Sequence, residues 1–179
     1  MFRRPLRGID QGEDVAAWLS KLIGEHSRLV AVPPEFDRVT DGHVPGTAGF
    51  ADSSAVHILS DTTLDALNSR LGHALPMNRF RPNIVVTGWE SPHTEDLVRE
   101  IAVGDSVLAY TKRAIRCPVT TVEQSRGERD GPEPLKILAT YRTARQKGVA
   151  FGAKFSVVQE GTLSVGDEVN VETWGASEL

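Results

Sequence analysis

The first predicted element is an amphipathic helix. Apolar side chains recur at helical spacing between residues 12 and 23 and form one stripe: Val15, Trp18, Leu19, Leu22 and Ile23. A stripe of this width is typical of a helix that packs on a core. Asp10 can cap the start of this helix, and Gly24 can end it in a left-handed turn.

Most of the remaining apolar runs are short and rich in β-branched residues. They predict strands at residues 28–32, 55–59, 84–87, 106–111, 155–159 and 168–173. A second helix is expected between Ser60, which can cap it, and Gly72, which can end it. The motif V-G-D-x-V occurs at residues 103–107 and 165–169 and predicts similar turns at a barrel rim. The fold class is therefore predicted to be mainly β with a few helices (α+β), built around a small β-barrel.

Two polar segments predict loops. Residues 37–54 are rich in Gly, Pro and Ser, and a long irregular segment of this kind is often functional or mobile. Residues 123–134 predict an exposed loop, after which Pro134 can begin a short helix through Arg142. We expect residues 1–40 to form a helix–strand linker segment that packs on a barrel formed by residues 41–179.

The composition argues against several classes of protein. The chain has 179 residues, a net charge of −4 and one cysteine, and it lacks the long apolar run of a membrane span. We therefore expect no disulfide framework, no zinc site of paired cysteines and no membrane partner. The basic start is not followed by an apolar segment, which argues against a signal peptide and predicts a cytoplasmic protein. The acidic balance gives no reason to expect a nucleic-acid partner.

The basic residues are concentrated in one part of the chain. Residues 106–155 contain ten basic and four acidic residues, and this segment surrounds Cys117. A positive field favours anionic ligands and the thiolate form of a cysteine, although a solvated basic face would show the same pattern. The sequence lacks the common nucleophile, phosphate-loop and metal motifs, and its five histidines have no metal-ligand spacing.

Cys117 is the first candidate for chemistry. It precedes Pro118, which favours an extended conformation for the cysteine, and it lies near Lys112, Arg113 and Arg116 in the sequence. Two interpretations stay open from these residues alone. The cysteine is either a small buried hydrophobic residue or a reactive or metal-ligating thiolate.

Two further segments suit an anion. Arg79 and Arg81 would project to the same side of an extended chain, where guanidinium groups bind phosphates, and Asn83 adds an amide. A polar strand with surface salt bridges explains this segment equally well. Ser53 and Ser54 offer hydroxyl and backbone N–H groups to an anion, which is a weak signal by itself.

Five motifs resemble one family. In chain order they are F-A-D-S-S, R-F-R-P-N-I, R-C-P-V-T-T-V, Y-R and F-G-A-K-F, beginning at Phe50, Arg79, Arg116, Tyr141 and Phe151. Together they resemble the MOSC domain and, within it, the branch of the mitochondrial amidoxime-reducing component and its bacterial relatives. The similarity extends from about Gly8 to Val171. Several motifs in the same order are more specific than any one of them.

The resemblance implies a MOSC-type β-barrel that binds the molybdenum cofactor, Mo-molybdopterin. By motif, Cys117 would be the molybdenum ligand and the catalytic residue, since a soft thiolate suits such a metal. The other residues that the resemblance assigns to the cofactor are Ser53, Ser54, Arg81, Asn83 and Arg116. Lys154 stands where members of the branch often have a tyrosine, and it could meet a phosphate instead.

The resemblance also implies an oxidoreductase that reduces N-hydroxylated compounds. Its electrons would come from a separate electron-donor redox protein, because one cysteine cannot hold an iron–sulfur cluster of four cysteines. Members of this branch usually begin with another β-rich domain, which the resemblance does not find here. We therefore expect a separate N-terminal β-barrel domain to supply further contacts to the cofactor.

Two other hypotheses remain from the sequence. MOSC domains also end the molybdenum cofactor sulfurases, so this domain could be a non-catalytic carrier of the cofactor or of sulfur, with a persulfide on Cys117. Pyridoxal phosphate would then act only in a separate sulfurase partner. A third hypothesis is a barrel that binds only a protein partner and has an empty site.

Overall fold

Strands dominate the fold. The structure, a computed structural model, describes residues 5–144 and 148–179. Its strands are β1 (Ile9–Asp10), β2 (Val30–Ala31), β3 (Val39–Thr40), β4 (Gly46–Thr47), β5 (Val56–Ser60), β6 (Ile84–Val86), β7 (Val98–Val103), β8 (Ser106–Ile115), β9 (Val122–Glu123), β10 (Glu128–Arg129), β11 (Ala150–Gln159) and β12 (Val169–Trp174). Its α-helices are α1 (Glu13–Ile23), α2 (Asp61–Asn68) and α3 (Leu135–Leu138). Short 3₁₀ turns occur at Met77–Arg79, Thr94–Asp96 and Pro118–Thr121.

Six strands form one curled, half-barrel sheet in the order β12-β7-β8-β11-β5-β6. All neighbours in it are antiparallel except β5 and β6, which are parallel. The mainly β, barrel-like fold class predicted from the sequence is confirmed. The long central strands β8 and β11 extend well beyond the predicted segments, and β7 was not predicted at all.

The pairing of β8 with β11 defines two faces of the sheet. Three of the cross-strand pairs are Tyr110 with Phe155, Lys112 with Lys154, and Arg113 with Ala153. The register shifts at Thr111, which is an extra residue on β8, as in a β-bulge. Because opposed residues of an antiparallel pair point to the same side, Tyr110 and Arg113 share one face, which we call the core face. Lys112 and Lys154 lie on the other, which we call the site face.

Each face carries its own hydrophobic cluster. The core face buries Ile58, Tyr110 and Phe155 together with residues of β7. The other cluster lies beneath α2 and includes Phe80 and Phe151. The helix α2 begins as predicted, because the Ser60 hydroxyl accepts the Thr63 N–H. It ends at Asn68, before Gly72.

The first helix forms as predicted but its apolar stripe does not face a core. Gly24 ends α1 in the left-handed conformation, with φ 82°. Trp18, Leu22 and Ile23 are 57–69% exposed, and among the α1 residues only Ala16 is buried. The expectation that the stripe packs on a core is therefore wrong, because periodicity reports an apolar side and not what lies against it.

The predicted cap of this helix is also wrong. Gly12 occupies the capping position, and no side chain caps the helix there. Asp10 instead accepts the Gly12 N–H and forms an ion pair with Arg28. Their contact ties the start of α1 to the segment that follows it.

The segment at residues 37–54 is more regular than its composition predicted. It contains the hairpin of β3 and β4, whose tip lies against β8. The His43 and Val44 N–H groups donate to the carbonyls of Thr111 and Tyr110, at 2.8 and 3.2 Å. The tip of this hairpin is thus hydrogen-bonded to the bulge on β8.

The remaining local predictions concern two turns, a short helix and the division into segments. Gly104 and Gly166, in the two V-G-D-x-V motifs, both adopt positive φ in turns as expected. The helix after Pro134 is shorter than predicted and ends at Leu138. Within the described residues, no helix is long and apolar enough to cross a membrane. The division into residues 1–40 and 41–179 stays a prediction.

Candidate functional site

Cys117 lies just after the end of β8, at the start of a 3₁₀ turn. Its backbone is extended, at φ −105° and ψ 170°, as the following Pro118 favours. Its carbonyl accepts hydrogen bonds from the N–H and the hydroxyl of Thr120, at 3.2 and 3.0 Å. The side chain is exposed, so the interpretation as a buried structural cysteine is wrong. The turn presents the thiol to solvent.

Arg116 fixes the other side of this turn. Its N–H donates to the carbonyl of Val149 at 2.9 Å, and its Nη2 donates to the carbonyl of Phe80 at 2.7 Å. Burial lowers the pKa of the guanidinium, and the neighbouring Cys117 opposes this shift. The buried Nε has no hydrogen-bond partner among the described residues. Arg116 therefore keeps a donor available beside the thiol.

A row of three side chains crosses the site face next to Arg116. Lys112 is paired with Lys154 across β8 and β11, and Lys154 is paired with His57 across β11 and β5. Lys112 forms an ion pair with Asp41 at 2.7 Å. Lys112 and Lys154 are like charges directly opposed in the sheet and repel each other, and the pairing of β8 with β11 keeps them together.

Within the row, Lys154 is poorly compensated. Burial lowers the pKa of Lys154, and the positive charge of Arg116 lowers it further, whereas Asp52 and Cys117 raise it. Burial, followed by the charges of Arg116 and Lys154, lowers the pKa of His57 to about 3. His57 is therefore neutral at ordinary pH. The buried Nε2 of its ring has no hydrogen-bond partner among the described residues.

The glycine of the F-G-A-K-F motif makes room for this histidine. Gly152 adopts a positive φ of 84°, and a Cβ at this position would lie 2.4 Å from the His57 Nε2. Any larger residue would be strained and would displace the ring. The motif thus sets the position of both His57 and the adjacent Lys154.

The R-F-R-P-N-I motif adopts a different conformation from the one predicted. Arg79 ends a 3₁₀ turn and is buried, whereas Arg81 is exposed at a positive φ of 53°. The two side chains therefore do not lie on one side of an extended strand, and that expectation is wrong. Arg81 borders the site through its backbone carbonyl, which raises the pKa of His57 against the effect of burial.

Asn83 connects this motif to β5. Its side-chain oxygen accepts the His57 N–H at 2.8 Å, and its own N–H donates to the His57 carbonyl at 2.8 Å. This amide therefore supports the strand that carries His57. Its Nδ2 group remains the side-chain donor that could reach a ligand.

The F-A-D-S-S segment completes the site. Ser54 is buried, and its hydroxyl has no hydrogen-bond partner among the described residues. Ser53 is partly buried, and its carbonyl, like that of Ala51, accepts a bond from Arg38. Asp52 is exposed and lies close enough to Lys154 to raise its pKa. Arg38 thus fixes the backbone of a segment whose polar side chains remain available.

The structure brings Cys117, Arg116 and Lys154 together. Asn83 is connected to them by its hydrogen bonds to the backbone of His57, which is paired with Lys154. Sequence reasoning did not assign Asp52, His57 or Lys112 to the cofactor site, although it placed Lys112 near Cys117 along the chain. Asp52 could have been found, because it lies inside a quoted motif. The other two could not, because the register of β8, β11 and β5 brings them beside Lys154.

The available atoms fit an anionic ligand that carries its own metal ligands. Three buried polar atoms lack partners: the Ser54 hydroxyl, His57 Nε2 and Arg116 Nε. Burial penalises unpaired polar groups, so such atoms mark a place for a polar ligand. In residues 5–144 and 148–179, no group of three His, Cys, Asp or Glu side chains could hold a metal ion. Cys117 is the one cysteine of the sequence, and a soft thiolate suits a metal that an anionic cofactor carries.

Comparison with known proteins agrees with the motifs. The mitochondrial amidoxime reducing component 2 of Rattus norvegicus is 34% identical, over 94% of this chain and 54% of that protein. The mitochondrial amidoxime-reducing component 1 of Homo sapiens is 33% identical, over 92% and 52%. The chain thus spans about half the length of these curated relatives.

A solved structure and a family match complete the comparison. YiiM from Geobacillus stearothermophilus is 15% identical with a TM-score of 0.49, covering 79% of this chain and 76% of that one. The MOSC domain family matches residues 45–170, which include Cys117, Lys154 and the six-stranded sheet apart from most of β12. The chain belongs to the MOSC domain family.

Proposed function

We propose that this chain is the molybdenum-cofactor-binding MOSC domain of an oxidoreductase that reduces N-hydroxylated compounds. The observation that carries this proposal is the exposed Cys117 thiol beside the desolvated cations Arg116 and Lys154. A thiolate next to buried positive charge suits a soft metal with an anionic organic ligand. The amidoxime-reducing relatives support the reaction type.

Different residues would bind the metal and the organic part of the cofactor. Cys117 would ligate molybdenum. The pterin and its phosphate would be held by Ser53, Ser54, Arg81, Asn83, Arg116 and Lys154. When bound, the cofactor supplies the redox chemistry that removes oxygen from nitrogen, which no side chain here provides.

The protein's own part in the reaction is binding, positioning and charge. Arg116 and Lys154 lie beside Cys117 and would neutralise the phosphate. His57, being neutral, can donate or accept a hydrogen bond without adding to the positive charge. Asp52 is an exposed acid that raises the pKa of Lys154 and so helps to keep this lysine positively charged.

Electrons would reach the site from a separate redox protein. The sequence has one cysteine and so cannot hold an iron–sulfur cluster of four cysteines. As the resemblance implies, we also propose that an N-terminal β-barrel domain contributes further contacts to the cofactor site. The cytoplasmic location stays a prediction, and the named relatives are mitochondrial.

The exposure of Cys117 also favours a second candidate, a non-catalytic carrier of the cofactor or of sulfur. An accessible thiolate beside cations is suited to accept and pass on a persulfide sulfur. Pyridoxal phosphate would enter such a route only in a separate sulfurase partner. A carrier would bind cofactor or sulfur without turning over an N-hydroxylated substrate.

Turnover separates the two candidates. The chain, loaded with cofactor in a competent host, should reduce benzamidoxime with reduced methyl viologen as the electron donor. Cys117→Ser should fall below about 1% of that rate, because serine is a harder and less acidic ligand. Val119→Ser, an exposed change in the same turn, is the matched control and should keep the rate. Loaded protein without turnover would favour the carrier, and full turnover by Cys117→Ser would overturn the ligand assignment.

A further inference from the structure

A cavity of about 470 Å³ lies against the core face of the sheet. Its basic side chains are His43, Arg99 and Arg113, and residues 176–178 form another part of its wall. Arg113 belongs to the core face, whereas Lys112 and Lys154 belong to the site face. The cavity is therefore distinct from the site around Cys117. We call residues 175–179 the tail.

Polar contacts hold the tail in this cavity. The Arg99 guanidinium donates to the carbonyl of Ala176, and Arg113 Nη2 donates to the hydroxyl of Ser177 at 2.7 Å. Ala176 and Ser177 are exposed, so water competes for both bonds. The tail is thus attached by contacts that a ligand with the same groups could replace.

Glu178 places a carboxylate in the cavity. Its Oε2 accepts a hydrogen bond from the Tyr110 hydroxyl at 2.8 Å, and its Oε1 pairs with Nε2 of His43. Burial and the bond to Glu178 raise the pKa of Tyr110, so the hydroxyl keeps its proton and remains a donor. The cavity is thus already arranged to bind a carboxylate.

The cations beneath the tail outnumber their acidic partners. Arg113 and Arg142 are both buried, and both form ion pairs with the one carboxylate of Asp96. Burial raises the pKa of the adjacent Glu95, which favours its neutral form. The described part of the chain therefore places two buried positive charges against one negative charge. The Nε of Arg113 is also buried without a hydrogen-bond partner.

Arg99 adds a third positive charge without a carboxylate of its own among the described contacts. Its guanidinium lies 4.4 Å from the centre of the Tyr110 ring and donates to the carbonyls of Asp96 and Val98, at 3.1 and 2.9 Å. Carbonyls and a ring face orient the group but do not neutralise it. The field in the cavity thus stays positive even with Glu178 in place.

We propose that this cavity binds a small organic acid and that Glu178 is its internal competitor. One carboxylate of the ligand takes the place of Glu178 on the Tyr110 hydroxyl and His43, and the excess charge of Arg99 and Arg113 attracts a second one. A dicarboxylate therefore fits better than a monocarboxylate. This proposal does not depend on the function proposed for Cys117.

Competition by the tail makes the proposal measurable. If the tail must leave before the ligand binds, the apparent affinity is reduced by the fraction of molecules in which the cavity is open. Glu178→Gln removes the negative charge and keeps the size of the side chain, which weakens the tail's hold. The variant should therefore bind malonate at least about tenfold more tightly than the wild-type chain.

The experiment is isothermal titration of malonate into both proteins at constant ionic strength. Glu172→Gln is the matched control, because it removes one charge from an exposed side chain of β12 outside the cavity, and it should bind like the wild type. Phosphate and chloride are titrated in parallel and should show no comparable gain. Adding Tyr110→Phe to Glu178→Gln removes the hydroxyl donor and should reverse most of the gain.

Each other result would overturn the proposal. Equal affinity of wild type and Glu178→Gln would show that the tail does not compete. An equal gain with Glu172→Gln, or an equal gain for phosphate, would reduce the effect to general electrostatics. Failure of Glu178→Gln to fold, seen by circular dichroism, would show that the tail is a structural element and not a displaceable occupant. Molybdenum content should be the same in all folded variants, which keeps this test separate from that of the Cys117 site.

Discussion

The two faces of the β8–β11 pair both collect basic side chains, but they compensate them differently. On the core face, Arg113 meets the carboxylate of Asp96, which it shares with Arg142. On the site face, burial lowers the pKa values of Lys154 and Arg116. Lys154 also lies near the positive charge of Arg116, and the buried Nε of Arg116 has no hydrogen-bond partner among the described residues. This difference in charge compensation indicates how each face would bind a ligand. On the core face, Asp96 stabilises the fold but leaves one of two buried charges for an external ligand, whereas on the site face Lys154 and Arg116 form no ion pair with a carboxylate among the described residues.

The largest effect is expected on the core face. Asp96→Asn removes the carboxylate shared by two buried arginines and leaves both guanidinium charges uncompensated. The free energy of unfolding should fall by about 3–5 kcal/mol, measured by urea denaturation. Asp130→Asn, at an exposed site, is the control and should stay within about 0.5 kcal/mol of the wild type. A loss at Asp96 no larger than at the control would remove the distinction between the faces.

The second effect has the opposite sign and lies on the site face. Lys154→Met removes a partly buried ammonium group whose pKa burial already lowers. Without cofactor, the free energy of unfolding should stay constant or rise by about 1 kcal/mol, whereas pterin retention should fall. Lys136→Met, on an exposed lysine, should change neither. Strong destabilisation by Lys154→Met would mean that this lysine is structural.

The third effect is a pH dependence caused by His57. Its folded-state pKa, about 3, lies below the ordinary value of 6.5, so the unfolded chain binds the proton first as the pH falls. Stability should therefore be lost as the pH falls from about 6.5, with a slope of up to about 1.4 kcal/mol per pH unit from this group. His93, whose pKa burial lowers to about 4, adds a loss in the same direction.

The test is the free energy of unfolding measured between pH 7 and pH 4. His57→Gln should reduce the slope by about one proton, and His73→Gln, on an exposed histidine, should leave it unchanged. An unchanged slope in His57→Gln would contradict the burial of an uncharged imidazole on the site face.

The smallest effect concerns the hairpin that touches both faces. Asp41 bonds Lys112 on the site face, and His43 bonds Glu178 on the core face. Backbone amides of residues 40–54 should exchange more slowly when cofactor is bound, because Ser53 and Ser54 then gain a ligand. Hydrogen exchange with and without cofactor measures this change. Identical exchange rates would remove this segment from the site.

Local chemistry explains what the sequence could predict. Ser60 caps a helix, Gly24 ends one, and Pro118 extends Cys117, because each effect acts within a few residues. The mainly β fold followed from short β-branched runs. The family motifs, rather than periodicity, are the source of the predicted site residues, of which the structure places Arg116 and Lys154 near Cys117.

Long-range pairing explains what could not be predicted. The bulge at Thr111 decides that Tyr110 and Arg113 share one face while Lys112 lies on the other, and nothing in the local sequence marks it. The positive φ of Arg81 separates it from Arg79, against the expectation for an extended strand. The stripe on α1 is apolar but exposed, since a period of 3.6 residues describes one element and not its neighbours.

The most direct test of the central claim is the molybdenum and pterin content of the purified chain, made in a host that synthesises the cofactor. Molybdenum is measured by elemental analysis, and pterin by the fluorescence of its oxidised form. The account predicts both in equal amounts in the wild-type chain, and in Cys117→Ser a greater loss of molybdenum than of pterin, because Arg116 and Lys154 remain. Folded wild-type chain with neither molybdenum nor pterin, or a Cys117→Ser variant that retains both in full, would contradict it.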